Sequence, residues 1–108
     1  MTDYLTITSE RTGTTARITA AGELDIATAP SLRQHMVPLF ADHAEIVVLD
    51  LTAISFIDSA GLHALLDIAD QDGDRLRIVP CPTCLRLFEI AGVLDRLPLI
   101  DSPPHPRA

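Results

Sequence analysis

The run Glu45–Leu51, EIVVLDL, is short, rich in β-branched residues and apolar on both of its alternating faces. A half-exposed strand alternates apolar with polar residues, so a run like this one belongs in the middle of a sheet. A sheet with a buried central strand needs helices packed on it, and the residues that follow supply them. Past a short TAISFID connection, the segment Ser59–Ala69 places Leu62, Leu65, Leu66 and Ala69 on one helical face and ends near the turn residues DGD.

The rest of the chain fits around this pair. Tyr4–Thr8 and Ala16–Ala20 alternate apolar with polar or small residues, and SERTGT between them reads as the turn of a hairpin. After Gly22, the residues Leu32, Met36, Leu39 and Phe40 fall at helical spacing, with Thr28 or Asp25 as the cap and Pro30 in the first turn. Pro38 lacks a backbone N–H, so a kink or an early end is expected there. Arg75–Val79 is a further strand, and Pro82–Ala91 a third helix with Leu85, Phe88 and Ile90 or Ala91 inward and Gly92 as its stop. VLDRLPLID reads as a helical turn followed by a brief edge strand. The order β-β-α-β-α-β-α implies a single α/β domain: a mixed sheet of about four to five strands with its helices mainly on one face. That domain is expected over residues 1–101, with 102–108, SPPHPRA, as a flexible Pro-rich tail.

Composition narrows the function. Of the 108 residues, fifteen are acidic and eight basic, a formal charge of −7, so the field of the molecule repels nucleic-acid phosphates and anionic lipid surfaces. Aromatic residues make up only 4% and Trp is absent, which removes the stacking platforms of a single-strand nucleic-acid binder. An acidic module of this kind is expected to bind a protein with a basic face, with no direct nucleic acid and no membrane among its partners. The N-terminus shows neither the basic nor the apolar region of a signal peptide, and no apolar run reaches a membrane span, so a cytoplasmic protein is expected.

The chemistry concentrates in FIDSAGL, where the central strand delivers Asp58, Ser59, Ala60 and Gly61 to the mouth of a helix. Unpaired N–H groups and partial positive charge at a helix N-terminus stabilise an anion there. A phosphoryl group on Ser59 would add a charge of roughly −1.5 to −2 beside Asp58. The helix end tolerates that charge, whereas a matching acidic surface on a partner does not. Asp58 or Ser59 also serves simply as a helix cap, and Asp25 in Gly22-Glu23-Leu24-Asp25 as a turn cap. A nucleophilic serine is disfavoured, because the G-x-S-x-G elbow is absent and no His is placed to activate the hydroxyl.

The segments GELDIATAPSLRQHM, VVLDLTAISFIDSAGLHALL and RLRIVPCPTCLRLFEIAGVLDRLPL together resemble the STAS domain of bacterial anti-sigma factor antagonists, from about Leu5 to Ile100. The resemblance implies an α/β domain that binds a serine-kinase anti-sigma factor and so frees a sigma factor. Phosphorylation of Ser59 by that kinase releases the domain, and a phosphatase resets it. It further implies Asp58 as the acidic neighbour of the phosphoserine and Gly61 as the small residue that shapes the helix entry. Asp25, Asp58, Ser59, Ala60, Gly61 and Leu62 are the partner-binding residues on this reading. Many members carry a second hydroxyl where this chain has Ala60, which removes a backup acceptor. The same family resemblance admits a second role, as the STAS subunit of a lipid-transport ABC complex.

Cys81-Pro82-Thr83-Cys84 stands at a strand end and a helix start, the place of a thioredoxin-like thiol pair, which makes a thiol-redox protein the enzymatic alternative. Only 24 residues follow Cys84, too few for the strands and helix that normally succeed such a motif. His35, His43, His63 and His105 have no metal-ligand spacing and are read as solvated. With no P-loop, G-x-G-x-x-G or H-E-x-x-H, the chain is expected to need no cofactor or metal and to be a substrate of catalysis, not an enzyme.

Overall fold

The first two strands form a hairpin longer than the apolar alternation alone predicts. In the computed structural model, which describes residues 4–42 and 44–101, β1 (Leu5–Thr12) and β2 (Thr15–Leu24) pair antiparallel from Leu5↔Gly22 to Thr12↔Thr15. The turn is only Gly13-Thr14. The polar residues Ser9–Thr12, read as turn from sequence, are paired strand, because β1 is an edge strand whose side chains there face water.

The chain continues through α1 (Ala29–Ala41), β3 (Ile46–Ile57), α2 (Ser59–Asp72), β4 (Leu76–Val79), α3 (Pro82–Ala91) and a 3-10 turn at Leu94–Arg96. The sheet order is β1-β2-β3-β4, with β2, β3 and β4 mutually parallel. β3 is therefore internal, as the run EIVVLDL predicts. Leu99 then forms a bridge to Ile78, the edge segment expected after the last turn.

Side-chain alternation along the strands sends Ala16, Ile18, Ala20, Val47, Leu49, Leu51, Leu76 and Ile78 into one core. All three long helices bury residues in that same core: Leu32, Met36 and Phe40 from α1, Leu62, Leu65 and Ile68 from α2, and Cys84 and Phe88 from α3. The helices thus share one face of the sheet.

Three expectations need correction. TAISFID is not a connection. Ala53, Ile54, Phe56 and Ile57 pair with Ala21, Gly22, Glu23 and Leu24, so β3 runs on as strand to the residue before Asp58, with register shifts at the end of β2. Pro38 does not end α1, which continues to Ala41. Gln34 and Pro38 are both exposed, so the carbonyl that loses its donor faces water, while Arg75 donates to the Phe40 and Ala44 carbonyls at 3.1 Å and holds the helix end. The inward stripe of α3 is Cys84, Leu87 and Phe88; Leu85 is 38% and Ile90 77% exposed, and Ala91 is exposed too. Cys84 packs there as a small hydrophobe, which rotates the buried stripe away from Leu85. The Pro-rich tail lies outside the described residues, as do His43 and His105.

The opposite face of the sheet is polar around one buried carboxylate. Asp50, 5% exposed, receives the Arg17 guanidinium at 2.8 Å, the Thr52 hydroxyl at 2.6 Å and the Thr52 amide at 2.9 Å. Burial alone pushes the carboxyl up, but the two bonds from Thr52 and the Arg17 cation outweigh it and hold Asp50 below its ordinary 3.8. A depressed folded-state value stabilises the protein above the unfolded value and is lost as pH falls through the folded one. Asp50→Asn is therefore expected to be less stable than the parent chain in urea at neutral pH, with the gap narrowing below about pH 4. A gap that stayed constant into acid would show that the carboxylate's charge contributes nothing.

Candidate functional site

The parallel order of β2, β3 and β4 sends the N-termini of α1, α2 and α3 to one end of the sheet. At that end two loops meet. Leu24 is the register partner of Ile57, and the Asp58 amide donates to the Leu24 carbonyl at 3.3 Å, so the β2–α1 and β3–α2 loops leave the sheet side by side.

Asp58 is the N-cap of α2. Its extended backbone turns the carboxylate back onto the helix, where Oδ1 accepts from the Gly61 amide at 3.0 Å, and its carbonyl accepts from Leu62 N at 2.9 Å. Ser59 is then the first helical residue and is exposed. Its hydroxyl has no hydrogen-bond partner among the described residues. The Ser59 and Ala60 amides lie in the first turn, ahead of the first intrahelical donor, at the positive end of the helix. The cap and the modification site expected from sequence are thus separate, adjacent residues.

Gly61 and Leu62 lie beneath this surface, Gly61 buried and Leu62 5% exposed within the core. A Cβ on Gly61 would come within 2.5 Å of the Leu24 carbonyl oxygen and 3.0 Å of Ile57, so only glycine lets the first turn of α2 lie against the end of β2.

Asp25 caps the turn that leads into α1, as expected, and not the helix itself. Its Oδ1 accepts from the Ala27 and Thr28 amides at 3.0 and 3.1 Å, and the Thr28 hydroxyl accepts from the Asp25 amide at 2.9 Å while donating to the Glu23 carbonyl at 2.8 Å. Thr28 occupies the N-cap position of α1 without making a capping bond, because its hydroxyl is spent inside this turn. Gly22, with φ +115°, sits under the start of β1: a side chain there would strike the Tyr4 carbonyl, which the Glu23 amide bonds at 2.6 Å.

Sequence reasoning passed over two apolar residues at this edge. Ile26, next to Asp25, is 77% exposed, and Phe56, two residues before Asp58, is 47% exposed. The reading of FID as connection concealed Phe56, since only a strand continued to Ile57 sets Phe56 and Ile57 on opposite faces. Thr28 was legible in part, because an Asp followed three residues later by Thr is the pattern of a side-chain-closed turn.

Elsewhere, Cys81 and Cys84 are buried free cysteines. His35 and His63 are exposed on helices. Among the described residues no three His, Cys, Asp or Glu side chains converge as a metal site, and no helix is long and apolar enough to cross a membrane.

These features define a small α/β module that presents its polar chemistry on a loop edge. The STAS domain family profile matches residues 6–103, and the chain belongs to that family. It is 32% identical over 83 residues to the anti-sigma-B factor antagonist of Bacillus subtilis, covering 73% of this chain and 75% of that protein. The crystal structure of an anti-sigma factor antagonist from Mycobacterium paratuberculosis superposes with a TM-score of 0.81 at 28% identity, over 91% of this chain and 86% of that one. The Bacillus cell fate determinant SpoIIAA in its phosphorylated form shares the fold, with a TM-score of 0.65 at 21% identity over 91% of this chain and 92% of that one.

Alanine at Gly61 is expected to destabilise the fold by about 1–3 kcal/mol, as overpacking does, because the atom it meets is backbone and cannot rotate away. Asp58→Ala should cost about 1 kcal/mol through loss of the cap. Equilibrium urea unfolding measures both.

Proposed function

We propose that this chain is an anti-sigma factor antagonist whose docking edge is switched by phosphorylation of Ser59. The carrying observation is the exposed Ser59 hydroxyl, without a hydrogen-bond partner among the described residues, at the positive end of α2 and flanked by the Asp58 and Asp25 loops. The family and the antagonists it resembles support the same reading.

In the unmodified state the edge formed by Asp25, Asp58, Ser59 and Ala60 docks onto a serine-kinase anti-sigma factor. Gly61 and Leu62 support it from below, and Ile26 and Phe56 add apolar area at its rim. Docking occupies the anti-sigma factor and frees a sigma factor. The kinase then transfers the γ-phosphoryl group of ATP to Ser59 Oγ. The hydroxyl proton leaves, the bond to the β-phosphate oxygen breaks, and ADP departs.

Two physical conditions support that transfer. The oxygen is exposed, so a nucleotide can approach it. The product dianion, of charge roughly −1.5 to −2, meets the first-turn amides, which the helix leaves without intrahelical partners. On the docking edge, however, the dianion adds to two carboxylates in a chain of net charge −7. Like charges pressed together at a desolvated interface cost several kcal/mol, so the complex separates. A phosphatase hydrolyses the ester and restores the neutral serine. On this reading the chain is a substrate of enzymes in the cytoplasm and catalyses nothing itself.

The test measures partner affinity and phosphate uptake together. Ser59→Ala should bind the cognate anti-sigma factor as well as the parent chain does and take up no phosphate from ATP. Ser59→Asp should bind at least tenfold more weakly, about 1.4 kcal/mol. Phosphate found on another residue, or full affinity in Ser59→Asp, rejects the switch.

A further inference from the structure

The docking edge makes no use of the cysteine pair. Cys81 is the N-cap of α3 and Cys84 its third residue, so the first turn brings both sulfurs to one side. The Sγ atoms are 3.1 Å apart, with the Cys81 thiol directed at Cys84, and the Cys84 amide donates to Cys81 Sγ at 3.2 Å. Cys81 is 4% exposed and Cys84 fully buried. Burial, reinforced by the neighbouring Cys81 thiol, pushes Cys84 up to about 12. Among the described residues no third ligand joins them, so the pair does not complete a zinc site. A protein-sized disulfide substrate has no path to two buried sulfurs, whereas a small oxidant needs only the narrow opening over Cys81.

We propose that Cys81 and Cys84 form a two-electron oxidation site at which hydrogen peroxide converts the two thiols into an intramolecular disulfide across the first turn of α3. Cys81 Sγ attacks a peroxide oxygen, the O–O bond breaks, and one water leaves with the thiol proton, giving a sulfenic acid on Cys81. Cys84 Sγ then attacks that sulfur. The S–S bond forms, the sulfenic oxygen departs as the second water with the Cys84 proton, and hydrogen peroxide has been reduced to two waters.

Geometry selects this product over its competitors. The sulfurs must close from 3.1 Å to a bond of about 2.05 Å, a shift of about 1 Å within one helical turn. The Cys84 sulfur already lies against Cys81, so the partner for the sulfenic acid is in place, and burial keeps the cysteines of another molecule away. The reaction is independent of Ser59 and of the docking proposal.

The test treats the reduced full chain with hydrogen peroxide under native conditions, alkylates the remaining thiols and measures the intact mass. Both cysteines should become resistant to alkylation together, with a mass decrease of two hydrogens and no covalent dimer on a non-reducing gel. Dithiothreitol should restore both thiols. Cys81→Ser, which keeps a capping oxygen on α3, and Cys84→Ala should each abolish the mass decrease, and circular dichroism checks that both variants fold. In the oxidised chain, hydrogen exchange in the first turn of α3 should slow. Thiols that stay alkylatable after peroxide, a disulfide-linked dimer, or a stable gain of two oxygens on one cysteine would each overturn the proposal.

Discussion

The first turn of α2 rests directly on the end of β2, with no side chain between the Gly61 backbone and the Leu24 carbonyl. Everything presented at the loop edge depends on that approach. The same carbonyl receives the Asp58 amide, so the N-cap of α2 is hydrogen-bonded to the residue that precedes Asp25. The carboxylates of the two loops are therefore positioned by backbone contacts, and the rotamers of long side chains do not enter. A surface built this way holds its shape when a single exposed hydroxyl is modified, which is what a charge-operated switch needs.

The length of β3 carries the site to the edge. β4 ends opposite Asp50, while β3 continues for seven more residues to Ile57, paired only with β2 on one side. α3 packs against β3, with Cys84 and Phe88 in the common core. On the helix-free face, Arg17 and Thr52 compensate the buried Asp50 carboxylate where the β3–β4 pairing stops. Breaking such a pair by removing one partner leaves a buried charge without compensation, which makes this patch more important for holding β3 in register than its few bonds suggest.

The fold was legible wherever hydrophobic period and backbone punctuation agreed. EIVVLDL announced an internal strand, the stripe from Leu62 to Ala69 a helix, and Gly92 the end of α3. The errors share one cause, which is that tertiary partners override local signals. Ser9–Thr12 is too polar to read as strand, yet an edge position next to β2 makes it one. TAISFID lacks an unbroken apolar run, yet β2 supplies a pairing partner up to Leu24. Pro38 is a helix breaker, yet its exposed setting and Arg75 from a distant turn neutralise it. At the site, Asp58 and Ser59 could be placed at a helix start from the sequence, because cap and first turn are local features. The sulfur contact between Cys81 and Cys84 and the exposure of Ile26 could not, since each depends on what the rest of the chain covers.

The separation of cap from hydroxyl explains how one residue can change the surface without changing the fold. If Ser59 itself were the cap, modification would alter the group that closes the helix as well as the surface. Here Asp58 satisfies the Gly61 amide, and Ser59 Oγ has no hydrogen-bond partner among the described residues. Its exposure means that the added dianion remains hydrated, and no desolvation penalty opposes it until a partner arrives. On the proposed switch, the repulsive cost of the modification therefore falls on the complex, the partition that a reversible binding switch requires.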